Sequence, residues 1–112
     1  MTLTVPLSLI FAHWLGDWFL QNDWMALGKS KAMFPLVVHV GVVSVVLALW
    51  CWMCYSGSLL VFVGLNGLLH LLTDYVTSRI NGKLYQAGHR HWFFVSIGFD
   101  QVLHYAAYAI LL

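Results

Sequence analysis

Inside an apolar stretch long enough to cross a bilayer, residues 59–76, a histidine and an aspartate stand four positions apart: Asn66-Gly-Leu-Leu-His70-Leu-Leu-Thr-Asp74. At about 100° per residue, positions four apart stack on one helical face, so Asn66, His70 and Asp74 form a single polar stripe. A carboxylate near the middle of a membrane helix costs ~2.5–3.5 kcal/mol on the insertion scale unless something compensates it. The same step recurs as His13-x3-Asp17 and, reversed, as Asp100-x3-His104. Each copy lies in an apolar run, and stripes of this kind are tolerated when they face one another rather than lipid.

The composition excludes a soluble domain of ordinary type. The chain is 62% hydrophobic and 8% charged, where a soluble domain carries roughly 25% charged residues. The reading is an all-α integral membrane protein: one domain over residues 1–112, a four-helix bundle with spans at about 3–21, 34–55, 59–78 and 92–112. Pro6 sits in the first turn of the first span, where its missing N–H does no harm. That span is retained rather than cleaved, because a signal peptide needs a positive start and an unbroken apolar centre. The net charge of +1 says nothing about nucleic acid, because the few charges are confined to loops and stripes; the expected partners are membrane lipids, with no nucleic acid.

All five Lys and Arg fall in the first connection (Lys29, Lys31) and the third (Arg79, Lys83, Arg90). These lie on one side of the membrane. The positive-inside rule then places both termini outside and two basic loops in the cytoplasm, giving a multi-pass protein of the inner (cytoplasmic) membrane. Measured from the inner end of each span, Asp17, His39 and Asp74 lie roughly 8–10 Å deep, and His13, His70 and Asp100 roughly 13–16 Å, with His104 a little further. Four His and three Asp thus reach overlapping levels in the inner half of the bilayer.

Three arrangements would compensate those carboxylates, since no Lys or Arg lies within a span and an ordinary salt bridge is therefore not expected. Each Asp could hold a proton, each could pair with its own protonated His, or imidazoles and carboxylates together could hold one or two divalent cations. The convergence of three pairs with His39 favours the cation, with zinc first and manganese or iron as alternatives. Proton relay and purely structural pairing are the rivals.

The elements His13-x3-Asp17-Trp-Phe-Leu-Gln21, Trp24, a lysine-containing connection, His39, His70-Leu-Leu-x-Asp74 and Phe99-Asp100-Gln-x-x-His104 resemble a bacterial and phage membrane family, domain of unknown function 3307, over nearly the whole chain. That family brings no activity to transfer. The His70–Asp74 stretch is also similar to a helix motif of bacterial membrane-bound metal-dependent hydrolases, whose further His-Arg…His-Ser element is met here only by His89-Arg90-His91. The resemblance implies a metal site more strongly than a reaction.

The leading expectation is a metal-dependent membrane hydrolase acting on a lipid or lipid-linked phosphate or ester at the cytoplasmic leaflet. His13, Asp17, His70, Asp74, Asp100 and His104 are the expected ligands or their orienting partners, and His39 a ligand or general base. Gln21 and Asn66 would hold the ligands in place, and Arg79, Lys83 and Arg90 would contact lipid headgroups. The expected cavity opens to the inner leaflet, borders His39 and is closed on the outer side by Trp50. The alternative is a non-enzymatic metal- or proton-binding accessory or channel subunit, of bacterial or phage origin, for which a transport role would require a homo-oligomer. Cys51-x-x-Cys54 copies a redox spacing but sits at a helix carboxyl end, where no dipole favours a thiolate, so it reads as two small apolar residues.

Overall fold

A computed structural model describes residues 4–112, so the expected start of the first span at Leu3 lies outside the described residues. Every regular element among the described residues is helical. The chain runs through α1 (Leu7–Trp14), a π-helical turn (Leu15–Phe19), α2 (Asp23–Gly28), α3 (Met33–Cys54), α4 (Leu59–Gln86) and α5 (Arg90–Leu111). Three of these, α3, α4 and α5, are long and apolar enough to cross a membrane. α1 and the π turn together supply eight and five helical residues, a rise of only ~20 Å against the ~30 Å of a hydrocarbon core.

The distribution of side chains is inverted relative to a water-soluble protein. Trp52, Leu60, Phe94 and Ile110 are 79%, 82%, 66% and 67% exposed, whereas His13, His39, His70 and Asp74 are exposed by 2% or less. Apolar groups outside and ionisable groups inside is the pattern that a lipid solvent selects.

Helix ends explain how the sequence departs from the expected boundaries. α4 continues past Ser78 because nothing between Arg79 and Gln86 stops it. It ends where Gly88 adopts φ 76°, with His89 N–H donating to Leu84 O at 3.0 Å and Gly88 N–H to Tyr85 O at 3.1 Å. This is a Schellman cap, and it needs a residue without a Cβ penalty at that position. The expected long connection of residues 79–91 is thereby reduced to a few residues, and α5 starts at Arg90. The first helix instead stops early. Leu20 N–H reaches back five residues to Leu15 O at 2.9 Å, and α2 restarts with the Asn22 side chain accepting from Met25 N–H at 2.9 Å.

Close packing is made by small residues. A Cβ on Gly16 would stand 3.2 Å from the Val43 Cα, so the π turn lies directly on α3. Ser78 Oγ lies 3.5 Å from Lys29 O, which brings the Lys29–Lys31 segment against the Arg79–Lys83 part of α4 and gathers both basic segments at one end. At the other end Leu9, Val43, Leu47, Trp50, Cys51, Phe62 and Tyr108 form a buried apolar cluster.

Candidate metal centre

Four elements contribute to one buried cluster. α4 presents His70 and Asp74 on a single face, with Asn66 one turn toward the apolar end and Thr77 and Ser78 one turn toward the basic end, all buried. α5 supplies Asp100 and His104, α3 supplies His39, and the first segment supplies His13 and Asp17. Asp17 belongs to the π turn, and insertions of this kind frequently occur at functional sites.

Each of the four imidazoles turns its Nε2 toward carboxylate oxygen. His39 Nε2 is 2.8 Å from Asp17 Oδ1 and 3.2 Å from Asp74 Oδ2. His70 Nε2 is 3.2 Å from Asp74 Oδ2 and 3.5 Å from Asp17 Oδ1. His104 Nε2 lies 3.1 Å from Asp74 Oδ1 and 3.2 Å from Asp100 Oδ2, and His13 Nε2 3.3 Å from Asp17 Oδ2. The rings of His70 and His104 stack with centroids 4.2 Å apart. Asp17, His70, Asp74 and His104 each offer a donor atom, and these atoms lie within 4.8 Å of one another. Ligand atoms around a four-coordinate zinc at 2.0–2.1 Å are ~3.3 Å apart, so a modest inward closure of these side chains would make a coordination sphere. This buried group could hold a metal ion.

One expectation is corrected here. The absence of Lys and Arg from the spans does not exclude a salt bridge, because Lys29 reaches in from the connection and brings its Nζ to 3.3 Å from Asp74 Oδ2. A lysine has a four-carbon arm that can lie along apolar surface while its ammonium finds a partner at a distance. Lys29 is 45 positions from Asp74, and no periodicity links them.

His13 belongs to a different network. Gln101 donates through its amide nitrogen to Asp100 Oδ2 at 3.1 Å, and its Oε1 accepts from the Trp18 indole N–H at 3.4 Å. That oxygen faces His13 Nε2 at 2.6 Å, so the His13 Nε2 carries the proton and donates. In the neutral ring Nδ1 is then an acceptor, matched by the Tyr108 hydroxyl at 2.8 Å. Asp100 accepts in addition from Thr77 Oγ1 at 2.6 Å. Gln101, Tyr108 and Thr77 were not singled out as site residues by the sequence. Two of them had a signal: Tyr108 lies four residues beyond His104 on the polar stripe of its helix, and Thr77 three residues beyond Asp74 on the same helix face.

The cluster is not sealed on all sides. A cleft of about 460 Å³ at the basic end has Asp17 and Asp100 among its lining residues, together with Gln21, Lys29, Lys31 and Asn81. Its apolar wall includes Leu27, Tyr85, Phe93 and Ile97. His39 does not line it and is 0% exposed, so the expected border by His39 gives way to Asp17 and Asp100. Arg79, Lys83 and Arg90 do not line it either. Arg79 lies over the Tyr75 ring at 3.7 Å, and Lys83 and Arg90 are exposed. His89 and His91 are also exposed, away from the cluster. Cys51 is buried and Cys54 exposed, and they are unpaired.

A family model described as "Protein of unknown function (DUF3307)" matches residues 5–112. No curated protein and no solved structure matches.

Proposed function

We propose a function from the site itself, because the chain belongs to the DUF3307 family, whose description assigns none. The reading is a metal-dependent membrane hydrolase in which Asp17, His70, Asp74 and His104 hold one divalent cation, zinc before manganese or iron. The observation that carries it is the convergence of these four buried donors within 4.8 Å beside a cleft lined by Asp17 and Asp100. Charge supports a single ion. Asp17, Asp74 and Asp100 bring three negative charges and Lys29 one positive, and one dication balances the remainder with all imidazoles neutral.

The other residues then divide by geometry. His39, buried against Asp17 and Asp74, orients those carboxylates or ligates with them. His13, committed as a donor to Gln101, acts through that amide, whose nitrogen donates to Asp100, rather than ligating. Asp100 touches both the cleft and His104, so it takes the general-base role that the sequence suggested for His39. A bound dication would supply Lewis acidity toward a phosphoryl or carbonyl oxygen. The substrate class is a lipid or lipid-linked phosphate or ester entering from the basic end.

In the membrane, α1 and its π turn form a fourth, shorter embedded segment beside the three long helices, with the basic end in the cytoplasm. Reporter fusions test this directly: one at Leu112 reads outside and one near Lys83 reads cytoplasmic, and the reverse pattern discards the inner-leaflet site. The metal is tested by elemental analysis of protein purified in mild detergent, with about one equivalent expected. A wild type with no metal ends the reading. The near-complete burial of the four donors favours a second reading, a closed structural metal site in a non-enzymatic accessory protein. Metal retained by wild type with no turnover of any lipid phosphate or ester would decide for it.

A further inference from the structure

The cleft above the cluster has chemistry of its own. Two cations enter its lining, Lys29 and Lys31, from the short segment between α2 and α3. Two residues of the same lining, Gln21 and Asn81, have side-chain amide oxygens that are buried with no hydrogen-bond partner. Buried amide oxygens are ordinarily paired, and leaving one unpaired costs about 1–3 kcal/mol. The same lining includes the apolar side chains of Leu27, Tyr85 and Phe93. Cation, unmatched acceptor and apolar wall together describe the complement of an amphiphile.

We infer that this cleft binds the headgroup of an anionic phospholipid, with Lys31 and Lys29 on the phosphate and the Gln21 and Asn81 amides accepting from hydroxyl groups on the same headgroup. The inference deepens the hydrolase reading, and rests on it for what happens to the headgroup but not for its binding. It selects a phosphate over a carboxylic ester, since an ester has no charge for the lysines to meet. It also selects a headgroup bearing hydroxyls, because a choline-type headgroup has no donor for either amide. Lys29 is shared. Its ammonium lies 3.3 Å from Asp74 Oδ2 at the edge of the cluster, so the same charge balances that carboxylate and meets the phosphate.

Four probes separate the sources of this chemistry when titrated into the purified full chain in mild detergent: short-chain phosphatidylglycerol, short-chain phosphatidylcholine, short-chain diacylglycerol and soluble glycerol phosphate. Phosphatidylglycerol should bind tightest, phosphatidylcholine roughly tenfold weaker for two lost hydrogen bonds, and diacylglycerol not measurably. Glycerol phosphate should be weaker than phosphatidylglycerol because it lacks the chains that meet the apolar wall. Lys31→Gln, at an exposed position, should weaken phosphatidylglycerol about tenfold, while Lys83→Gln leaves it unchanged. Replacing Gln21 and Asn81 by Leu should bring phosphatidylglycerol down to the phosphatidylcholine level. Wild-type affinity in Lys31→Gln, an equal loss in Lys83→Gln, or failure to prefer phosphatidylglycerol over diacylglycerol overturns the inference. Equal binding of glycerol phosphate overturns the lipid assignment. Metal content measured on the same samples keeps the two readings apart. A metal-free protein that still discriminates the probes removes the hydrolase but not the headgroup site, and a metal-loaded one that does not discriminate does the reverse.

Discussion

At one end of the bundle, the carboxyl end of α3 and the amino end of α4 close on a cluster of rings: Trp50 lies 5.8 Å and Tyr55 5.2 Å from Phe62, and Phe62 stacks on Tyr108 at 6.3 Å. A few turns along the same helices, the interior changes to four imidazoles and three carboxylates with a lysine at the edge. In lipid, the ring cluster gains only from close packing, since its side chains would be about as comfortable facing acyl chains. The charged half has no such indifference. Each of its groups is expensive alone, and the set is tolerated because every carboxylate touches at least one imidazole. The ring end can therefore be loosened with graded loss, whereas removing one charge at the basic end leaves its partners uncompensated.

Asp74→Asn gives the sharpest test of that contrast. It keeps the shape but strips a charge from a group that meets His39, His70, His104 and Lys29. The expected loss is about 3–5 kcal/mol, read as disappearance of bound metal and a lower melting temperature in detergent. Retention of wild-type metal by folded protein would break the comparison. Phe62→Ala comes next, at about 3 kcal/mol of stability, with metal content unchanged in what remains folded. Loss of metal there would mean that the two ends are one cooperative unit.

Tyr108→Phe probes the point where the halves meet, because the Tyr108 ring belongs to the apolar cluster and its hydroxyl bonds His13. The ring is retained and one buried hydrogen bond lost, so the expected cost is ~1 kcal/mol. The His13 tautomer, followed by nitrogen NMR shifts, should become mixed. An unchanged Nε2–H tautomer would show that Gln101 fixes it alone. The smallest effect is expected for Cys51→Ala, which trims one small side chain from the ring end. It should cost about 1 kcal/mol or less and leave metal and any turnover intact; loss of either would restore a functional role to the Cys51/Cys54 pair.

Much of the site was legible because helical spacing is written directly in sequence. The steps from His13 to Asp17, His70 to Asp74 and Asp100 to His104 put each pair on one face, and an apolar surround made lipid-facing placement too costly for any of them. The same apolar runs gave the helical class and, of the four spans expected, three helices long and apolar enough to cross a membrane. Lysine and arginine counts placed the two basic segments together, and Lys29 O beside Ser78 Oγ agrees.

Tertiary structure decided everything that depends on reach or on local winding. That Lys29 arrives at Asp74 follows from a flexible arm and the fold of a loop, neither of which has a period. The π turn that carries Asp17 and ends the first helix at Phe19 lies with Gly16 directly on Val43, and α-helical spacing predicts the wrong continuation beyond it. Gln101 adjoins Asp100 in the chain but turns about 100° from it around the helix, so only the approach of α1 and Trp18 makes it a partner. His39 carries no spacing that distinguishes a cleft position from a buried one. Periodicity fixes the face of a helix; what that face meets, and at which depth a cleft opens, is settled only when the helices pack.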